Sequence, residues 1–286
     1  SAPVLAGQVF SLLYTLVDTW FIALLDPADP WLVGSTGVVF PLYILFMAVT
    51  FGVSGGISSL VARAIGANKH DDLDRTAESG LAMALIASII FLAVLYPLAS
   101  PVLQVFGATG PMLDYAATYL AWLLPMIPFM FLGAVFTGIL QGEGRTTHLM
   151  VSMIIGTVAN IILDPLLMFT AGMGIAGAGF ATAIGNALGF VYLLVVLIRS
   201  QATVRIHWKA SRVSVPVMAE ILRVGIPQSL MHILMSITFI FYNRMMSDVD
   251  PRILTAFTLY SRLEQIALVP LWALLSGLGT MVGWKR

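Results

Sequence analysis

Two aspartates lie in stretches that otherwise carry no charge: Asp18 in LLYTLVDTWFIALL and Asp164 in MVSMIIGTVANIILDPLLMFTA. A carboxylate in such surroundings is held between two states, since burial favours the neutral acid and a bound cation favours the anion. A group poised in this way exchanges a proton for a cation. Tyr14 lies four residues before Asp18 and Asn160 four before Asp164, each on the same helical face as its aspartate. Thr182 and Tyr119 offer further oxygens from two other apolar stretches. Pro165, directly after Asp164, lacks an N–H and would leave the carbonyl of Ile161 without its helical partner. Beside a carboxylate, a freed carbonyl is a plausible cation ligand; a simple kink is the other reading. For the aspartates themselves, the alternative to function is a hydrogen bond to a neighbouring helix that serves packing alone.

The elements that must position these residues are membrane-spanning helices. Of 286 residues, 59% are apolar and 10% charged, with a mean hydropathy of +0.96; an average soluble domain is about 25% charged. Apolar runs bounded by glycine, proline and charge predict eight spans over residues 3–25, 33–62, 79–106, 112–140, 148–170, 177–198, 225–247 and 252–284. An acid at the centre of such a span costs about 2.5–3.5 kcal/mol on insertion scales, so intramembrane acids face the bundle interior and are functional candidates. The fold class is therefore all-α, a polytopic transmembrane helical bundle. Net charge is zero, which implies no nucleic-acid partner, and no cysteine is present to form disulfides or thiolate metal sites. No cofactor motif is present, and no cleavable signal peptide is visible.

Basic residues give the orientation. Arg63, Lys69, Arg75, Arg145, Arg199, Arg205, Lys209, Arg212, Arg223, Lys285 and Arg286 fall on one side, against Arg244 and Arg252 on the other. The positive-inside rule puts the N-terminus and the even-numbered connections in the cytoplasm. Counting along the spans at 1.5 Å per residue, Asp18, Asp164, Tyr119 and Thr182 all fall roughly 8–10 Å below the outer surface. Asn160 and Tyr14 sit one turn deeper. Six polar side chains from four spans thus share one slab, although depth does not establish that they meet laterally.

The longest polar interval, RSQATVRIHWKASRVS, divides the chain into a six-span unit at 1–199, a cytoplasmic linker at 200–216 and a second unit at 217–286. The two units echo each other: DPADPWLVGSTG after span 1 matches DVDPRILTAFTL after span 7, and repeated halves are a transporter plan. The chain starts at Ser1, almost inside span 1, and ends at Arg286, directly after span 8. Both ends are read as cuts in a longer protein.

VDTWFI in span 1, GVSGGISSLVARAIGA leaving span 2, GILQGEGRT between spans 4 and 5, NIILDPLLMF in span 5, GIAGAGFATAIGNALG in span 6 and SRLEQIALVP in span 8 together resemble the multidrug and toxic compound extrusion (MATE) family. The resemblance covers essentially the whole chain. It implies twelve helices in two six-helix bundles, of which this chain holds the first bundle and two helices of the second. It also implies export of organic cations by antiport against protons or sodium, with no catalysis, by a monomer in the bilayer of a bacterial or archaeal cytoplasmic membrane. Carried over residue by residue, the resemblance makes Asp18, Asn160, Asp164 and Thr182 the ion-coupling set, with sodium as one possible occupant. Tyr14 and Tyr119 line the adjoining cavity, Arg262 and Glu264 are cavity candidates on span 8, and Pro3 is associated with bending of helix 1 as Pro165 is with helix 5. The NorM-like branch carries an acid on helix 7, where this chain reads SLMHILMSITF with Met235 and Ser236; that departure favours the DinF-like branch.

Other signals carry less. GMGIAG at 172–177 has dinucleotide-motif spacing but joins two spans instead of following a strand. Gly52, Gly55, Gly56 and Ser59 read as close helix packing, and His70, His148, His207 and His232 as packed or connection residues. Two other functions compete. A lipid-linked oligosaccharide flippase of the same wider superfamily needs a basic central cavity, for which the spans offer chiefly Arg262. An intramembrane aspartyl protease needs YD and GxGD signatures, which are absent.

Overall fold

A computed structural model describes residues 16–199, 213–250 and 252–264, all of whose regular structure is helical. In chain order the helices are α1 (Leu16–Leu25), α2 (Trp31–Gly66), α3 (His70–Val105), α4 (Pro111–Leu123), α5 (Met126–Gly142), α6 (Thr147–Pro165), α7 (Ile175–Arg199), α8 (Val215–Val249) and α9 (252–264). Among the described residues, five helices are long and apolar enough to cross a membrane, and α4 and α5, bent by 48° at their junction, are long and apolar enough only when taken together. Exposed apolar rows such as Ile86, Ile89 and Ile90 on α3 face outward, as a bilayer-embedded bundle requires. Pro3 and Tyr14 lie outside the described residues.

The structure departs from the predicted spans in three places. The run 112–140 is two helices, because the chain turns at Leu124 and Pro125. Helix α3 starts nine residues before its predicted span, with Asp71 and Asp72 in its first turn, where acids complement the exposed N–H groups. Helix α8 starts ten residues early, at Val215, inside the interval read as linker. Polar first turns of long helices escape a hydropathy window.

Helix α2 is the hub: 67% of its spanning window is buried, against 11% for α6 and α8. Phe46 on α2, Phe91 on α3 and Phe131 on α5 meet edge to face at 5.9 and 5.4 Å and fix that core. Helix α8 packs along α2 at the range of backbone contact, since a Cβ on Gly225 would collide with the Gly52 carbonyl. Every seventh residue of α8 then donates to an α2 carbonyl: Ser229 to Ala48 at 2.7 Å, Ser236 to Pro41 at 2.8 Å and Asn243 to Gly37 at 3.1 Å. The last bond has a specific cause. Pro41 has no N–H to give the Gly37 carbonyl four residues back, and Asn243 fills that place.

Candidate functional site

Helix α7 approaches two neighbours through small residues on either side of Thr182. A Cβ on Gly185 would lie 2.7 Å from the Gly156 carbonyl of α6, and one on Gly179 would lie 2.6 Å from the Tyr119 carbonyl of α4. Neither position admits a side chain without moving backbone. The result is that Thr182 is pressed between α4 and α6, opposite Asn160.

Asn160, Asp164 and Thr182 form one buried network. With the amide of Asn160 oriented by its partners, its Nδ2 donates to Asp164 Oδ2 at 3.0 Å, and its Oδ1 accepts from the Thr182 hydroxyl at 3.2 Å and the Thr182 backbone N–H at 3.1 Å. Asp164 is completely buried. Helix α6 ends at Pro165 and continues as a wider π turn, Leu166–Thr170, so the acid sits at a change of helical pitch. Against this turn packs Gly177 of α7, whose Cβ would lie 2.8 Å from the Leu167 and Met168 backbone.

Asp18 and Tyr119 are also buried here, each within electrostatic reach of Asp164 and of the other. Asp18 Oδ1 has no hydrogen-bond partner among the described residues. An orphaned buried carboxylate oxygen beside a second carboxylate is a place for a proton or a cation. Among the described residues no three acidic, histidine or cysteine side chains converge, so a cation here would be held by the two carboxylates and neutral oxygens.

Arg262 stands apart from the hydrogen-bonded set. Its guanidinium lies 4.8 Å over the Phe40 ring, in a small crevice with Gly37, Asn243 and Thr258, within electrostatic reach of Asp18. Glu264 is exposed on α9. Ser236 on α8 is fully buried, and its hydroxyl donates to the Pro41 carbonyl.

A cavity of about 270 Å³ opens beside the network, between α2, α5, α6 and α7. Asn160 and Thr182 form its wall toward Asp164, which does not itself line it. Tyr43, Thr137, Thr157 and Asn186 supply neutral polar groups, and Phe129 and Phe190 supply aromatic faces. Tyr119, Arg262 and Glu264 are not part of this lining. The sequence reading passed over Tyr43, Thr137, Thr157 and Asn186. A helical signal was available for two of them: Thr157 precedes Asn160 by three residues and Asn186 follows Thr182 by four.

These features define a polytopic integral membrane protein whose polar interior holds paired carboxylates next to a cavity. The chain belongs to the MatE family, whose model matches residues 3–166. It is similar to the multidrug export protein MepA of Staphylococcus haemolyticus, 25% identical over all of this chain and 63% of that protein. Among solved structures it is similar to the inward-facing conformation of a multidrug resistance MATE family transporter of the MOP superfamily. That match is 28% identical with a TM-score of 0.83, covering 92% of this chain and 59% of that one. A crystal structure of MATE in complex with MaD3S is 30% identical with a TM-score of 0.80, covering 94% of this chain and 60% of the other. The chain thus spans about 63% of the length of the curated relatives it matches.

Proposed function

We propose that this chain is the larger part of a secondary-active exporter that expels organic cations or other drugs in exchange for protons or sodium. The observation that carries the reading is the Asn160–Asp164–Thr182 network, whose Asn160 and Thr182 line a polar and aromatic cavity with Asp164 behind them. In this account Asp18 and Asp164 bind the coupling ion, Asn160 and Thr182 are neutral ligands, and Tyr14 and Tyr119 flank them. The cavity takes the drug, whose aromatic or cationic parts meet Phe129, Phe190 and Tyr43. Ion binding biases inward- against outward-facing states only through its different affinity for each.

Residues 1–199 make the first bundle, 217–286 the start of the second, and the basic connections face the cytoplasm. The N-terminus is then cytoplasmic, and the chain works as a monomer in a cytoplasmic membrane. With Ser236 committed to a backbone bond instead of an acid, the first bundle carries the coupling, in keeping with the DinF-like branch. Pro165, at the π turn, and Pro3 are the proposed bending points; unchanged transport by P3A would remove Pro3 from the mechanism. Among the described residues the cavity lining contains no lysine or arginine, so the flippase alternative gains nothing from it.

The test is uptake of a fluorescent organic cation by everted vesicles holding the full-length protein, driven separately by a proton or a sodium gradient. Uptake with one gradient establishes antiport and names the ion. Absence of uptake with either, across several cations, rejects the reading.

A further inference from the structure

Helices α2, α3 and α8 enclose a second cavity, of about 310 Å³, which the export reading does not use. It exists because α2 and α8 touch through backbone: a Cβ on Gly56 would collide with the Ile221 carbonyl, and one on Gly225 with the Gly52 carbonyl. Helix α3 meets the start of α8 at the basic end, where the Ser214 N–H donates to the Ser79 hydroxyl at 3.0 Å. Twelve residues further along α3, Phe91 packs edge to face on Phe46 of α2 and forms one wall. Leu45, Val49 and Val53 of α2 and Ile221, Ile226 and Ile233 of α8 form the other two. Leu222 and Ile226, both in the lining, are 47% and 58% exposed, so the cavity is open at its α8 edge.

The lining restricts what can enter. Ser229 has the one polar side chain of the described lining, and its hydroxyl is spent on the Ala48 carbonyl at 2.7 Å. A space so lined stays dry and offers a drug no group to orient by. From Ile221 to Ile233 it runs about 18 Å at 1.5 Å per residue, close to half of the ~30 Å hydrocarbon core of a bilayer. Its mean cross-section is then about 17 Å². That admits one alkyl chain in single file and excludes an α-helix, whose diameter of about 10 Å fills roughly 80 Å².

The basic end of this space carries a free cation. Arg63 pairs with Glu220 at 3.1 Å, whereas Arg223 is exposed and has no acidic or hydrogen-bonding partner among the described residues. Arg223 stands three residues before Ile226, on the strip of α8 that borders the cavity. Helical side chains lean toward the N-terminus, which for α8 is the basic side. We propose that the cavity holds one acyl chain of a phospholipid from the cytoplasmic leaflet, and that Arg223 selects an anionic headgroup. The lipid completes the α2–α8 joint at the level where facing glycines leave a notch. The choice of leaflet rests on the proposed orientation of the chain; the site itself is tested without any transport.

The test uses the full-length protein in phosphatidylcholine vesicles containing a trace of phosphatidylglycerol or phosphatidylcholine with a diazirine on its acyl chain. After illumination, crosslinked peptides are mapped by mass spectrometry. Yields are normalised to the outward row Ile86, Ile89 and Ile90 of α3, which any surrounding lipid reaches. Crosslinks are expected within 45–53 and 221–233, with phosphatidylglycerol giving about fivefold more than phosphatidylcholine, the worth of one basic residue at an anionic membrane surface. R223Q is expected to equalise the two lipids. V49W fills the space and is expected to remove the cavity crosslinks while those on α3 persist. Crosslinks confined to α3, equal yields of the two lipids in wild type, a preference that survives in R223Q, or undiminished cavity crosslinks in V49W would each overturn the proposal. Because R223Q alters an exposed residue, it decides the matter even where V49W fails to fold. None of these outcomes bears on whether uptake is driven by an ion gradient.

Discussion

The α6–α7 and α2–α8 pairs are both drawn to backbone range by facing glycines, Gly156 with Gly185 in one and Gly52 with Gly225 in the other. Both seams then carry polar side chains through an apolar environment. Along α2–α8, Ser229, Ser236 and Asn243 each donate to a backbone carbonyl, which is always present and never changes charge. Along α6–α7 one hydroxyl, that of Ser152, is also spent on a carbonyl, but the remaining contacts include side-chain partners, among them a carboxylate and an imidazole, and a cavity runs beside them. Polarity inside a membrane protein therefore divides by partner. Donors spent on carbonyls hold helices in register, whereas groups spent on ionisable side chains hold a state that a proton or cation can change.

The largest expected effect that would sharpen this division comes from G185L. A leucine there must displace the Gly156 backbone and separate Thr182 from Asn160, so driven uptake is lost and stability falls by about 1–3 kcal/mol, the usual penalty of overpacking. Thermal unfolding in detergent, read with vesicle uptake, checks both. N243A comes next. It leaves the Gly37 carbonyl without a donor, since Pro41 has no N–H to offer, and costs about 1–3 kcal/mol. S236A is the smallest, about 0.6 kcal/mol, the average for a hydrogen bond between membrane helices. Uptake per folded molecule is expected to survive S236A; its loss would move coupling into the α2–α8 seam and break the comparison.

Much of this was legible in the sequence, and for identifiable reasons. Asp18 and Asp164 announce themselves because charge is scarce in a span, and the charge bias of the connections gave enough orientation to place Thr182 and Tyr119 level with them and Asn160 one turn deeper. The structure brings Asn160, Asp164 and Thr182 into contact, as a depth count alone does not establish. Other features left no readable trace. The break at Leu124 and Pro125 lies within a continuous apolar run, and hydropathy does not register direction. Thr157 and Asn186 are neutral residues of a kind that often only packs, and the cavity they line exists only once α5 and α7 are in place. Ser236 is a similar case: its partner is a carbonyl 195 positions away, which no local pattern encodes. His148 looks like a connection residue until Arg145 and Tyr192 are seen on its two nitrogens.

The central claim is that Asp164 belongs to the coupling site and is not a packing acid. The most direct measurement compares D164N with wild type in everted vesicles of the full-length protein, under whichever gradient drives uptake, with folded protein quantified in the same membranes. Asparagine preserves the size of the side chain and can still bond Asn160, but it can neither take up a proton reversibly nor balance a cation. The account predicts folded protein at wild-type level and gradient-driven uptake reduced to background. Uptake at the wild-type rate in D164N would contradict it and return Asp164 to the same structural role as the donors of the α2–α8 seam.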